Sequence, residues 1–154
     1  MRRYHGQPEK THEVIWRDER GRSFIRTGDI GRMDDDGFVY VVDRKKDMII
    51  SGGFNIFPVD IEAVISQNPC VLDVCVIGAP HPLWGESPIA AVIPQPGMKV
   101  EPQELCDWAN LRLAKTQRVA AVILRREFPR NAMGKVVKPE LRREYEDLLS
   151  KPTA

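Results

Sequence analysis

Apolar positions along the second two-thirds of the chain switch between helical and extended spacing. Ile61, Val64 and Ile65 follow the i, i+3, i+4 pattern of a helix with one face turned to a core. Pro58 suits its first turn, where no amide hydrogen is needed, and Asp60 and Glu62 place negative charge at the positive end of the helix dipole. Asn68-Pro69 stops it. Residues 71–78 and 89–94 are short β-rich runs joined by a loop over 79–88. A second helix fits 101–114, with Leu105, Trp108 and Ala109 on one face, and 119–124 reads as a further strand. Pro139 opens a last helix carrying Leu141, Tyr145, Leu148 and Leu149 at helical spacing.

The earlier part is extended. Residues 1–22 are polar and poorly periodic, whereas 23–50 read as strands with tight connections. Asp34-Asp35-Asp36-Gly37 is a turn signal between the apolar stretches 30–33 and 38–42. The charged run Asp43-Arg44-Lys45-Lys46-Asp47 interrupts the pattern; Met48-Ile49-Ile50 resumes it, and Ser51-Gly52-Gly53 turns the chain again. From residue 47 the order is hairpin, helix, strand, strand, helix, strand, helix. That order predicts an α+β domain, a small central sheet covered by helices, preceded by a β-rich segment.

Composition narrows the chemistry. A chain of 154 residues can bury one ordinary core with a small appended segment. Lys plus Arg is 23 against 22 for Asp plus Glu, a formal net charge of +1, so no global field draws the protein to nucleic acid or an anionic membrane. Cys70, Cys75 and Cys106 form no CxxC pair, which argues for reduced thiols in a cytoplasmic setting and against structural zinc. His5, His12 and His81 are scattered and offer no metal spacing. No apolar run approaches the ~18 residues of a transmembrane segment.

Four stretches carry candidate chemistry. Thr27-Gly28-Asp29 alone is a turn, and Asp43 to Asp47 alone is a solvated corner. Trp84-Gly85-Glu86 follows Ala79-Pro80-His81-Pro82, and its Trp could belong to the core. Pro129-Arg130-Asn131-Ala132-Met133-Gly134-Lys135 contains a Gly-Lys pair, but a phosphate loop needs Gly at 129 and Ser or Thr at 136. Those positions hold Pro129 and Val136, so the phosphate-loop reading fails.

Together, in this order and at these separations, the four resemble the adenylate-forming superfamily of acyl-CoA synthetases, luciferases and peptide-synthetase adenylation domains. The resemblance runs from about Tyr4 to Leu149 and is strongest over 27–62 and 129–138. The wording Gly52-Gly53-Phe54-Asn55-Ile56-Phe57-Pro58 is most similar to fatty and other carboxylic acyl-CoA ligases. Phe54 stands where many members carry Glu, which puts a polar ligand contact from that position in doubt.

The resemblance implies a two-step reaction: a carboxylate attacks the α-phosphate of Mg2+-bound ATP to give an acyl-adenylate, and the thiol of CoA then displaces AMP. It implies that Asp29 holds the ribose hydroxyls, since a carboxylate can accept both bonds of a vicinal diol. Arg44 is expected on the ribose and phosphate side, where a permanently charged fork of donors suits an anion. Lys135 matches the adenylation lysine, placed between substrate carboxylate and α-phosphate. Lys46 matches the hinge, Ser51, Gly52 and Gly53 the pantetheine tunnel, and Trp84 either stacks near the CoA adenine or packs internally.

The same resemblance implies a domain plan. Residues 1–43 are expected to be the tail of a large N-terminal AMP-binding domain, 44–46 the hinge, and 47–154 the mobile C-terminal lid. The phosphate-binding loop, the acyl pocket and the residues for Mg2+ belong to that N-terminal domain, so the isolated chain is expected to be inactive. Two other readings stay open: an adenylation domain loading carrier-protein phosphopantetheine, and a stand-alone interaction module without catalysis. The absence of a carrier domain before Ala154 favours CoA.

Overall fold

The computed structural model describes residues 3–150, and side chains as far as Glu146. The expected stripe positions Leu148 and Leu149 lie outside the described side chains. The chain divides into two compact units between Lys46 and Asp47.

The first unit holds a helix, α1 (Pro8–Val14), and two separate antiparallel ribbons. β1 (Ile15–Arg17) pairs with β2 (Ser23–Ile25), and β3 (Asp29–Met33) with β4 (Val39–Arg44). The helix and β1 were not legible in 1–22, because neither buries a stripe: no described residue of this unit is buried. The expected turn is present at Asp34, whose Oδ1 accepts the Phe38 N–H at 2.9 Å, with Gly37 at φ +84°. Trp16, Phe24, Phe38, Tyr40 and Val41 are largely exposed on these ribbons. Two-stranded ribbons of this kind are marginal by themselves.

The second unit contains β5 (Ile49–Ser51), β6 (Phe54–Ile56), α2 (Pro58–Ile65), β7 (Val71–His81), β8 (Gly85–Pro94), α3 (Pro102–Asn110), β9 (Ala121–Leu124) and α4 (Lys138–Ser150). The element order read from the sequence is the order found. Sheet order is β6-β5-β8-β7, with β9 parallel to β8. β7 runs antiparallel to β8 from Val71 opposite Pro94 to His81 opposite Gly85. The other edge of β8 is shared: β5 meets it at Gly85, and β9 pairs with Ile89 to Val92.

Residues 79–88, expected as a loop, are therefore mostly strand, and only 82–84 turn the chain. Prolines at 80 and 88 read as breakers, yet neither interrupts the β7–β8 ladder. Pro80 lies in register with Val76, whose backbone faces the free edge of β7, so the missing N–H points outward, where an edge strand tolerates it. Pro88 turns its carbonyl to Ala120 on the β9 side, away from β7.

Helices cover both faces of the sheet, so β7 and β8 show near-continuous apolar runs instead of alternation. On one face Val74, Val76, Ala90, Val92 and Val122 pack with Ile61 and Ile65 of α2 and Leu105 and Ala109 of α3. On the other, Cys75, Ile77, Ile89 and Ala91 meet Phe128 and Leu141 of α4, with Tyr145 alongside. Burial pushes the Cys75 thiol up to about 12.

The free edge of β7 is closed by side chains. Val76 donates its N–H to Glu62 Oε1 at 2.8 Å, while Lys138 Nζ donates to the same oxygen at 3.0 Å and to the Val76 carbonyl at 3.2 Å. Glu62, expected to serve the helix dipole, instead completes a sheet edge and ties α2 to the start of α4. At Val76 the edge backbone is thus unavailable as a template for another chain.

Two consequences can be measured. Glu62→Ala leaves the Val76 N–H without its acceptor and removes one of the two acceptors of the Lys138 ammonium, and should lower unfolding stability by about 2–3 kcal/mol, the range for charged hydrogen bonds. An unchanged urea midpoint would contradict the edge-closure assignment. The raised Cys75 pKa makes the folded state hold its proton where the unfolded thiol, at 9.0, has lost it. Its contribution is complete below pH 9 and is lost as pH rises toward 12, so Cys75→Ala should flatten the alkaline fall in stability. Identical slopes for both proteins above pH 9 would refute this.

Candidate functional site

The β3–β4 ribbon brings the first two motifs together. Asp29 lies directly opposite Arg44 in the register, and Arg44 Nε stands 3.4 Å from Asp29 Oδ1. Both side chains retain exposure, so the pair presents a carboxylate and a guanidinium side by side at one end of the ribbon. Thr27 Oγ1 accepts the Asp29 N–H at 3.1 Å and fixes the turn before it. Beside them, Asp43 Oδ1 accepts the Arg44 N–H at 2.7 Å, while its Oδ2 is buried with no hydrogen-bond partner among the described residues.

Lys46 is exposed and flanked by two anchored residues. Lys45 donates its N–H to the Gly28 carbonyl at 2.8 Å, inside the first unit. Asp47 faces Arg142 of α4 at 3.7 Å, inside the second. Lys45 is thus hydrogen-bonded within the first unit, whereas Asp47 makes a long ion pair within the second and its Oδ1 has no hydrogen-bond partner among the described residues.

Ser51, Gly52 and Trp84 converge on a cleft of about 360 Å³ in the second unit, lined also by Phe54, Ser87, Lys115, Thr116 and Arg118. Trp84 is 55% exposed, so its ring is not part of this chain's buried core. Its ring lies over Gly52, where an added Cβ would stand 3.0 Å from the ring, and Gly52 also adopts φ +56°. The missing side chain at 52 therefore makes room for the indole, a reason the sequence did not disclose. Gly53, at φ +83°, faces open space. Gly52 donates its N–H to the Trp84 carbonyl at 2.9 Å, and Glu86 Oε2 accepts the Ile50 N–H at 2.9 Å, so the 51–53 turn is seated on β8.

Lys135 sits on a tight hairpin between Phe128 and α4. Arg130 and Val136 form a bridge, Gly134 takes φ +79°, and Asn131 Oδ1 accepts the N–H groups of both Met133 and Lys135 at 3.0 Å. The positive φ explains glycine at 134; a Cβ there would meet no atom of this chain within 4 Å. The Lys135 ammonium is exposed and makes no ion pair among the described residues, whereas Lys138 is engaged by Glu62 and the Val76 carbonyl.

Lys115, Thr116 and Arg118 were missed by sequence reasoning. They follow α3 on a short 3₁₀ turn (Lys115–Gln117), far in sequence from Ser51 and Trp84, and only the sheet brings them to the cleft. Among the described residues no group of three or more His, Cys, Asp or Glu side chains converges to hold a metal ion, and no helix is long and apolar enough to cross a membrane.

Residues 60–135 match the family model of the AMP-binding enzyme C-terminal domain. A long-chain-fatty-acid–CoA ligase of Mycobacterium tuberculosis is 40% identical over 145 residues, covering 94% of this chain and 28% of the relative. A feruloyl-CoA synthase of Amycolatopsis is 41% identical over the same length and with the same coverage. The crystal structure of ATP-bound MatB from Rhodopseudomonas palustris superposes with a TM-score of 0.84 at 38% identity, covering 95% of this chain and 28% of that one. The chain thus spans little more than a quarter of the length of these relatives, and over residues 60–135 it belongs to the family of AMP-binding enzyme C-terminal domains.

Proposed function

We propose that the chain is the C-terminal part of an AMP-forming acyl-CoA ligase, and that it supplies the lysine for adenylation and one wall of the CoA site. The observation that carries this reading is the exposed, unneutralised ammonium of Lys135 on a hairpin whose backbone is hydrogen-bonded on both sides. Negative charge gathers on the carboxylate and α-phosphate oxygens as the acyl–phosphate bond forms. A cation already held in place lowers that barrier without reorganisation.

The remaining residues take matching roles. Asp29 accepts hydrogen bonds from the ribose hydroxyls, and Arg44 donates to the ribose and phosphate. In the second step, CoA lies in the cleft with its pantetheine arm along Ser51, Gly52 and Gly53 and its adenine on the Trp84 face. Lys115 and Arg118 place positive charge where CoA carries phosphate. Phe54 contributes an apolar wall, in place of a polar contact. Lys46 is the residue whose backbone changes between the two steps, because it lies at the division between the two units, next to Lys45, which is hydrogen-bonded within the first. Residues 1–43 then belong to the N-terminal AMP-binding domain, which supplies the acyl pocket and the groups for Mg2+. The acid is a carboxylic acid, with fatty acids the first class to test, and three free cysteines fit a cytoplasmic setting.

Three measurements test the reading. Lys135→Ala in the full-length protein should slow acyl-adenylate formation by about a hundredfold or more while leaving the unfolding midpoint unchanged, because the side chain packs against nothing. An undiminished rate refutes the assignment. Trp84→Ala should raise the KM for CoA by about tenfold and spare adenylation, the size of one aromatic stacking contact; a normal KM removes Trp84 from the CoA site, and saturation by an acyl-carrier protein in place of CoA identifies a different acceptor. The 154-residue chain alone should release no pyrophosphate from ATP and a carboxylic acid, and release would overturn the division of labour.

A further inference from the structure

We propose that Asp73 and Arg130 are positioning residues for Lys135, acting on the peptide plane that precedes it. The proposal rests on the adenylation role of Lys135 given above. The direction of a side chain follows from its two flanking peptide planes, and at Lys135 both are gripped. The Gly134–Lys135 peptide is held at its N–H by Asn131 Oδ1, at 3.0 Å, and at its carbonyl by Arg130 Nη1, at 2.6 Å. The following peptide is held through the Lys135 carbonyl, which accepts the Asn131 N–H at 2.9 Å.

Of these contacts, only the one from Arg130 ties the hairpin to the body of the domain. Its second nitrogen, Nη2, donates to Asp73 Oδ2 on β7 at 2.5 Å. Asp73 is itself oriented, since its Oδ1 accepts the Val74 N–H at 2.8 Å and the strand carries a register irregularity between Val71 and Asp73. Bulges commonly re-aim a side chain in this way. One guanidinium thus spans from the sheet to the carbonyl of a left-handed glycine, the most permissive backbone unit in the hairpin. Lysine cannot replace it, because a single ammonium lacks the fork that reaches both acceptors in fixed geometry.

The pair is half exposed, at 44% and 38%, and ion pairs of that exposure add little to global stability. Its effect should therefore appear at Lys135 and not in the unfolding midpoint.

The test uses the full-length ligase with Arg130→Gln, Arg130→Lys, Asp73→Asn and the double variant Asp73→Asn with Arg130→Gln, beside Lys135→Ala. Both Arg130 variants should lower the kcat of adenylation by about 10- to 100-fold, the scale of a misplaced catalytic group, with KM for ATP and unfolding midpoint unchanged. Transfer from supplied acyl-adenylate to CoA should be unaffected. The double variant should be no worse than Arg130→Gln, because Asp73 acts through Arg130. If Lys135→Ala abolishes adenylation while Arg130→Gln retains it, the positioning proposal fails and the role of Lys135 stands. If Lys135→Ala is active, the functional reading itself fails. Amide hydrogen exchange on the 154-residue chain gives a second check: Arg130→Gln should accelerate exchange at Lys135 and leave Ala90 of β8 unchanged, and an unaltered Lys135 rate overturns the proposal.

Discussion

The contact on which the second unit depends is the closure of the β7 edge at Val76 by Glu62 and Lys138. β7 is the outermost strand, with α2 packed on one face of the sheet and α4 on the other. A carboxylate from α2 and an ammonium from the first residue of α4 meet around its edge, so the two layers are fastened to the strand and to each other. The hairpin carrying Lys135 ends where α4 begins. Its C-terminal end is therefore anchored to the most buried part of the sheet, and its N-terminal end to Asp73 on the same strand.

That arrangement gives two neighbouring lysines opposite fates. Lys138 is partly desolvated, and two oxygens satisfy it; its charge is structural. Lys135, three residues earlier, points to solvent with its backbone immobilised and its charge unspent. A cation without a partner, carried on a fixed backbone, suits an oxyanion-forming step, since the backbone then has no reorganisation to perform as charge develops. The cleft at Trp84 follows the same logic with the opposite polarity of order: a glycine turn is seated on β8 so that an indole face and two cations frame an open space.

Much of the second unit could be read along the chain because it is built from local signals. The stripe Ile61, Val64, Ile65, the prolines at 58 and 139 and the face Leu105, Trp108, Ala109 are period and turn chemistry, and they locate α2, α4 and α3. The extent of β7 and β8 was hidden because Pro80 and Pro88 look like breakers until the strand edges they face are known. The helix over Pro8–Val14 was hidden because it buries nothing within the described residues. The ties that matter most join distant positions: Glu62 to Lys138 across 76 residues and Asp73 to Arg130 across 57. No window of sequence contains both partners. Motif resemblance singled out Lys135, Asp29 and Arg44, but the cations Lys115 and Arg118 and the Arg130 clamp carry no signal until the sheet assembles them.

The most direct measurement is lysine-selective acylation of the full-length protein, read residue by residue by mass spectrometry, with and without a stable acyl-adenylate analogue. The account predicts that Lys135 reacts readily in the free protein and is shielded by the analogue, while Lys138 reacts slowly in both. Equal labelling of Lys135 with and without the analogue would contradict it.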